Sequence, residues 1–114
     1  MPTDHEALTA LNLEINAAEN VGNKEFLASV LASELGFFRA NGVVDDASRF
    51  LQKVAAKKPP GELRRESIEI ETWGNRALVR CVVSQDGKNC DNIRLFVRID
   101  ASWKLLAWAN EQLP

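Results

Sequence analysis

Four successive segments between Arg65 and Gln112 alternate apolar and polar side chains. Because neighbouring side chains of a strand point to opposite faces, this pattern predicts four half-buried β-strands. Turn signals separate the segments, most clearly Gly74-Asn75 and Asp86-Gly87, and such pairs favour tight hairpins. The second half of the chain therefore predicts a four-stranded antiparallel meander.

The registers of these hairpins decide which side chains share a face, since a slip of one residue turns a whole strand over. A two-residue turn at Asp86-Gly87 would place Cys81 opposite Asn92 and mix apolar and polar side chains on one face. Including Lys88 in the loop places Cys81 opposite Ile93 instead. We therefore predict the longer loop, which keeps the apolar side chains together.

The same reasoning joins the last two strands through a three-residue loop, Asp100-Ala101-Ser102, which sets Leu95 opposite Ala107. The predicted inner face then carries no charged side chain, whereas the outer face carries a larger apolar patch than solvated sheets usually show. This patch comprises Leu78, Phe96, Leu106 and Trp108, with Arg80 and Arg94 beside it. We expect a partner chain to cover it. The alternative is a solvated face on which arginine side chains lie along the apolar ones.

The first half of the chain predicts three helices and a short hairpin. Thr3 and Glu6 have the spacing of a capping box, which begins the first helix. Asn23 can cap a second, shorter helix. Asn41-Gly42 is a strong signal for a two-residue hairpin turn, and Asp45 begins the third helix.

Length and composition exclude several classes of function. Residues 1–114 have the size of one domain, and we predict a single one. The net charge of −2 provides no basic surface for nucleic acid. No apolar run approaches the roughly 20 residues that span a bilayer, and the amino terminus lacks the pattern of a secretion signal. We therefore predict a cytoplasmic protein without membrane contact.

Few side chains suit catalysis or metal binding. The one histidine, His5, stands beside two acids in the first helical turn, where a surface position is expected. One histidine and two cysteines cannot supply a tetrahedral zinc site, and the scattered glycines form no phosphate loop. Cys81 is expected to point inward and Cys90 outward, which disfavours a disulfide between them. The sequence therefore predicts neither a metal nor a cofactor.

Two segments of the chain resemble one family of proteins. From Arg94 to Pro114, a strand is followed by an Asp-containing turn, a tryptophan and a final strand, and Phe37 to Asp45 precede a helix that contains Phe50-Leu51. In these features the chain resembles the uncharacterised SnoaL-like branch of the nuclear transport factor two-like, or cystatin-like, superfamily. The resemblance implies an α+β cone in which a curved antiparallel sheet wraps around a long N-terminal helix, in the order α-α-β-β-α-β-β-β-β. It also implies a cavity at the wide end of the cone and a homodimer through the outer face of the sheet.

The isomerases of that superfamily use a carboxylate base, a tyrosine and a protonated acid. Laid onto this chain, the position of the base falls near Arg39 and that of the acid near Leu95, and the chain contains no tyrosine. The resemblance therefore argues against this proton-transfer chemistry. It leaves open an isomerase, cyclase or dehydratase that uses Arg39, or a water held by Asn41 and Glu34.

Our hypothesis from the sequence is a homodimer that binds a small, mostly apolar organic molecule in the cone without catalysis. The predicted pocket residues are Leu11, Ile15, Phe37, Arg39, Val79, Leu95 and Ala107. The predicted dimer interface comprises Leu78, Arg80, Phe96, Leu106 and Trp108. Two alternatives stand beside it: the enzyme described above, and a purely structural dimerisation module.

Overall fold

The computed structural model describes residues 3–39, 41–56, 64–85 and 87–112, which form three helices and six strands. The helices are α1 (Asp4–Val21), α2 (Lys24–Val30) and α3 (Ala47–Ala56). The strands are β1 (Leu31–Phe38), β2 (Val44–Asp46), β3 (Arg64–Trp73), β4 (Arg76–Gln85), β5 (Lys88–Ile99) and β6 (Ser102–Gln112). The predicted α+β class and the predicted order of elements are confirmed. None of the described helices is long and apolar enough to cross a membrane.

Local sequence signals set the bounds of the first helix. The Thr3 hydroxyl accepts a hydrogen bond from the Glu6 backbone N–H, and the Glu6 side chain accepts one from the Thr3 N–H, which is the predicted capping box. Gly22 ends the helix with a φ of 69°, a left-handed conformation that glycine adopts without strain. The helix then lies against the sheet through a buried stripe that includes Leu8 and Ile15.

The strands form one sheet in the order β2-β1-β6-β5-β4-β3. All neighbours are antiparallel except β1 and β6, which run parallel, so the sheet is mixed where a wholly antiparallel one was predicted. The β3–β4 hairpin has Ile70 opposite Val79 and Ile68 opposite Cys81, which is the register that a two-residue turn at Gly74-Asn75 predicts.

The predicted register of the β4–β5 hairpin is wrong. Gln85 pairs with Lys88, so two residues connect the strands, and Cys81 lies opposite Asn92. Gly87 has a φ of 76°, the left-handed geometry that a two-residue hairpin turn requires. Relative to the prediction this shift turns β5 over, so that residues expected inside the molecule lie outside it.

The β5–β6 connection is also shorter than predicted. Ile99 pairs with Ser102, and the two residues between them, Asp100 and Ala101, both have positive φ. The predicted pairing of Leu95 with Ala107 is confirmed, although both residues lie on the outer face.

A bulge in β6 then changes the pairing partway along the hairpin. Phe96 pairs with Leu105, which leaves Leu106 as the extra residue. The bulge lets Leu105 and Trp108 both point into the core, although they are an odd number of residues apart.

These registers overturn the predicted sorting of side chains. Phe96 is 0% exposed and Trp108 is 2% exposed, and both belong to the core, although they were assigned to the outer patch. Arg94, expected beside that patch, is 1% exposed on the inner face. Cys90 lies opposite Val83 on the same face as Cys81, so its predicted outward orientation is wrong as well.

Candidate functional site

The inner face of the sheet carries a continuous cross-strand row that includes two charged side chains. In the order of the strands from β2 to β3, the row comprises Asp45, Phe37, Trp108, Arg94, Val79 and Ile70. All of these except the half-buried Ile70 are buried. The predicted uncharged inner face is therefore wrong at its centre and at one end.

Arg94 is held by polar side chains of α1. Its Nη1 donates to Asn12 Oδ1 at 2.9 Å, and its Nη2 donates to Asn16 Oδ1 at 2.8 Å and to Glu19 Oε1 at 3.4 Å. The two asparagines are themselves buried. A buried guanidinium is tolerated because these acceptors replace the water that it loses.

An aromatic stack extends this site across the sheet. The Arg94 guanidinium lies 4.3 Å from the centroid of the Trp108 ring, and the Phe37 ring stacks on Trp108 at 4.3 Å with an angle of 12° between the planes. Arg39 lies 4.6 Å from the Phe37 centroid. Strand pairing accounts for the order, because Trp108 is opposite both Phe37 and Arg94. Each guanidinium is attracted to the electron-rich face of the ring beside it, so Arg94 and Arg39 lie at the two ends of the Trp108–Phe37 stack.

Two buried donors next to Arg94 lack an acceptor among the described residues. They are Asn16 Nδ2 and Trp108 Nε1. Leaving such a donor without a hydrogen bond costs about 1–3 kcal/mol, so buried donors in proteins are nearly always satisfied. Each of these donors can therefore bond to an oxygen atom from outside the described residues, such as that of a water molecule.

Asp45 occupies the other end of the row, where it joins the β1–β2 hairpin to α3. Its carboxylate accepts from Arg39 Nε and, at 2.9 and 3.0 Å, from Lys53 Nζ. Burial raises the pKa of Asp45, but the hydrogen bonds and positive charges of Arg39 and Lys53 outweigh that effect and lower the pKa from its usual 3.8.

The effect of Asp45 on stability is expected to depend on pH. Because its pKa is lower in the folded state than in the unfolded state, its contribution is complete above the unfolded value near 3.8 and is lost as the pH falls through the folded value. Asp45→Asn should lower the free energy of unfolding by about 2 kcal/mol near neutral pH. That difference should shrink in acid.

Urea unfolding of the wild type and Asp45→Asn over a range of pH measures this difference. Asp46→Asn is the matched control, since Asp46 is exposed and an asparagine can still accept from the Arg49 backbone N–H as Asp46 does. A constant difference between wild type and Asp45→Asn at every pH would contradict the role of the ionised carboxylate.

The outer face of the sheet is apolar at its centre, with charged residues along its β3 margin and both Asp46 and Val44 at its β2 margin. One row across it comprises Asp46, Gly36, Ala107, Leu95, Leu78 and Glu71. The next comprises Val44, Phe38, Ala109, Ile93, Arg80 and Glu69. Phe38 and Val44 are about half exposed, at 51% and 49%. This end of the outer face therefore exposes two large apolar side chains next to each other on paired strands.

The predicted pocket residues are divided between the two faces. Ile15, Phe37 and Val79 meet in the core cluster, with Leu11 packed against it. Arg39 lies at the edge, and Leu95 and Ala107 lie on the opposite face, outside the core.

Of the residues predicted for the dimer interface, the structure leaves Leu78 and Arg80 on the outer face. Leu106 is the half-buried residue of the β6 bulge. Phe96 and Trp108 lie in the core and cannot contact a partner chain.

The sequence reasoning missed the polar residues of the site. A signal for them existed in α1, where Asn12 and Asn16 fall on the helical face that buries Leu8 and Ile15. Two asparagines within an apolar stripe indicate a polar partner across the interface, because a buried amide requires hydrogen bonds. Arg94 is that partner.

Comparison with known proteins identifies the fold. No protein-family model and no curated protein matches the chain. Among solved structures, an NTF2-like protein from Cytophaga hutchinsonii superposes with a TM-score of 0.87 at 13% identity, over 98% of this chain and 100% of that one. A protein from Exiguobacterium sibiricum, provisionally assigned as a Ca/calmodulin-dependent kinase II association domain, superposes with a TM-score of 0.84 at 23% identity, over 100% of this chain and 97% of that one. The CaMKII hub of S. rosetta superposes with a TM-score of 0.82 at 18% identity, over 99% of this chain and 100% of that one. The chain therefore has the nuclear transport factor two-like fold.

Proposed function

We propose that this protein is an association module that forms a homodimer through the outer face of its sheet. The observation that carries the proposal is the apolar centre of that face, where Leu78, Ile93 and Leu95 stand beside the small residues Ala107 and Ala109. The larger side chains on β4 and β5 would form a ridge, and the alanines on β6 would form a shallow groove beside it. Such a surface can complement a second copy of itself related by a two-fold axis.

The margins of the face fit a second copy as well. They carry both signs of charge, with Glu69 and Glu71 on β3, Arg80 on β4 and Asp91 on β5. An apolar centre within a polar rim is the usual anatomy of an interface. The molecule measures 36 × 28 × 24 Å, so its broad face can supply the roughly 800 Å² that each partner of a stable complex buries.

Two of the similar structures support association as the function. Their names describe a kinase association domain and a kinase hub, respectively. Both superpose over nearly the whole of this chain, at identities that establish a common fold. The cytoplasmic location expected from the sequence stays a prediction.

Leu95→Asp tests the proposed dimer. A carboxylate at the centre of the apolar face would be buried without a partner, so we expect the variant to sediment as a monomer while its far-UV circular dichroism is unchanged. Leu13→Asp makes the same change at a leucine of α1 that is 48% exposed, and should leave the dimer intact. A wild-type protein that sediments as a monomer, or a Leu95→Asp dimer of unchanged affinity, would remove the proposal.

The buried donors support a second function, the binding of a small molecule that carries an oxygen acceptor. Asn16 and Trp108 both contact Arg94, Asn16 through its Oδ1 and Trp108 through the face of its ring, and Asn16 Nδ2 and Trp108 Nε1 are the two buried donors. A wholly apolar ligand would leave both donors unsatisfied, so the chemistry of the interior favours a carboxylate over the apolar molecule that the sequence suggested.

A titration with benzoate and benzamide distinguishes a ligand from water. Benzoate should raise the thermal midpoint at concentrations above its dissociation constant, and Trp108→Phe, which keeps the stack but removes the Nε1 donor, should weaken this effect about fivefold. Equal shifts with both compounds would contradict the preference for a carboxylate, since benzamide also carries a carbonyl oxygen. No shift with either compound would indicate that water satisfies the donors.

An enzymatic function lacks comparable support. Arg39, the residue nearest to the position of the isomerase base, forms an ion pair with Asp45. Glu34 and Asn41 are exposed, and the Asn41 side chain accepts from the Val43 backbone N–H within its own turn. These contacts fix the hairpin, and Glu34 and Asn41 lie exposed, away from the buried inner-face row.

A further inference from the structure

The solvent-facing side of α1 carries an apolar stripe that the fold does not cover. Leu13, Ala17 and Val21 recur every four residues and are exposed, and Val21 reaches 78%. Residues at this spacing lie above one another along one side of a helix. This stripe, defined by these three residues, extends about 12 Å along the helix axis.

A groove lies beside the stripe, between α1 and α2. Its volume is about 290 Å³, and it is lined by Glu14, Ala17, Ala18, Val21, Asn23 and Phe26. Phe26 packs against the core, so the base of the groove is fixed. The opening is large enough for one bulky apolar side chain, and small residues along its α1 wall let a partner backbone approach closely.

The charge of α1 indicates what kind of partner fits. The helix contains four acids, Asp4, Glu6, Glu14 and Glu19, and no lysine or arginine. Asp4 and Glu19 are engaged by Arg98 and Arg94, whereas Glu14 is exposed at the wall of the groove. An apolar stripe beside an exposed carboxylate complements an apolar anchor flanked by cations.

We propose that the α1 stripe and the adjoining groove bind a basic amphipathic helix. A helix laid along α1 presents apolar anchors at the spacing of the stripe, with one anchor in the groove and a lysine or arginine facing Glu14. Anionic membranes do not fit, because the acids of α1 would repel them. Since α1 covers the inner face of the sheet, the site points away from the outer face and is independent of the dimer.

Synthetic peptides about four helical turns long test the proposal by fluorescence anisotropy. One peptide carries leucines at helical spacing with lysines on the flanks. A second replaces the lysines with glutamates, and a third keeps the composition of the first but scatters its leucines around the helix. The basic amphipathic peptide should bind at least about tenfold more tightly than either control, and added salt should weaken it.

Three surface variants locate the site. Val21→Ser should weaken binding of the basic peptide about threefold or more, and Glu14→Lys about tenfold. Val43→Ser, which truncates a valine on the β1–β2 turn that is 41% exposed, should leave binding unchanged. Equal binding of all three peptides, no binding at about 1 mM, unchanged affinity in Glu14→Lys, or preferential binding to anionic vesicles would each overturn the proposal.

Discussion

Arg94→Ala is expected to lower the free energy of unfolding by about 3–5 kcal/mol, because it leaves the acceptors of a buried charge without a donor. The amide oxygens of Asn12 and Asn16 lose their partner, Glu19 loses its ion pair, and Trp108 loses the cation on its face. For a domain of this size the thermal midpoint should fall by roughly 15 °C. Thermal and urea unfolding monitored by circular dichroism measure both quantities.

Arg80→Ala is the matched control. Arg80 lies on the neighbouring strand but on the opposite face, where it is more than half exposed and reaches Asp91 only at 4.0 Å. Exposed pairs of this kind contribute little, so its loss should cost less than about 1 kcal/mol. Similar losses in the free energy of unfolding for the two substitutions would mean that Arg94 is solvated, as the prediction of an uncharged inner face requires.

Arg94→Lys separates charge from geometry. Lysine keeps the positive charge but lacks the planar fork that contacts Asn12 and Asn16 simultaneously. We expect a loss intermediate between those of the alanine variant and the wild type. A lysine variant as stable as the wild type would show that charge alone holds α1 to the sheet.

The sequence was sufficient for the order of the elements and for the parts of the fold that local signals determine. The Thr3–Glu6 capping box and the Gly74-Asn75 hairpin both depend on residues within a few positions of one another. Ile15 and Val79 lie in the interior as expected, because apolar residues recur around them with the period of their element. The resemblance to cone-shaped proteins added the wrapping of the sheet.

The faces of β5 and β6 could not be obtained in this way. Requiring apolar residues to share a face assumes that polar side chains find no partner inside, and that assumption failed for Arg94. Its partners, Asn12 and Asn16, lie about eighty residues earlier in the chain, on an element that the hairpin argument did not include. The local signal was the better guide, since Asp86-Gly87 favours the two-residue turn that the pairing of Gln85 with Lys88 implies.

The same error affected the candidate site. Turning β5 over exchanges Leu95 with its neighbours Arg94 and Phe96, so the inner face carries a charged side chain where an apolar one was expected, and part of the expected interface became core. The outer face is apolar nevertheless, because β5 carries apolar side chains on both of its faces. Phe96 lies on the inner face, and Ile93, Leu95 and Val97 lie on the outer face. The prediction of a covered outer face therefore does not depend on the register, whereas the identity of its residues does.

Phe96→Asp is expected to unfold the protein. The same substitution at the adjacent Leu95 is expected to keep the fold and to dissociate the dimer. Phe96 is fully buried, opposite Ala77 and Leu105. Truncating a buried phenylalanine costs about 3–5 kcal/mol, and an unpaired carboxylate in its place costs more. Domains are stable by only about 5–15 kcal/mol, so the variant should lack a cooperative thermal transition.

Circular dichroism and sedimentation of the two variants then test the register itself. Leu95→Asp should keep its secondary structure and lose its partner, whereas Phe96→Asp should lose its secondary structure. Phe96→Leu keeps an apolar side chain at the same place and should remain folded, which shows that charge burial causes the loss. A folded, monomeric Phe96→Asp would place Phe96 on the outer face, and only the three-residue loop through Lys88 would then account for the hairpin.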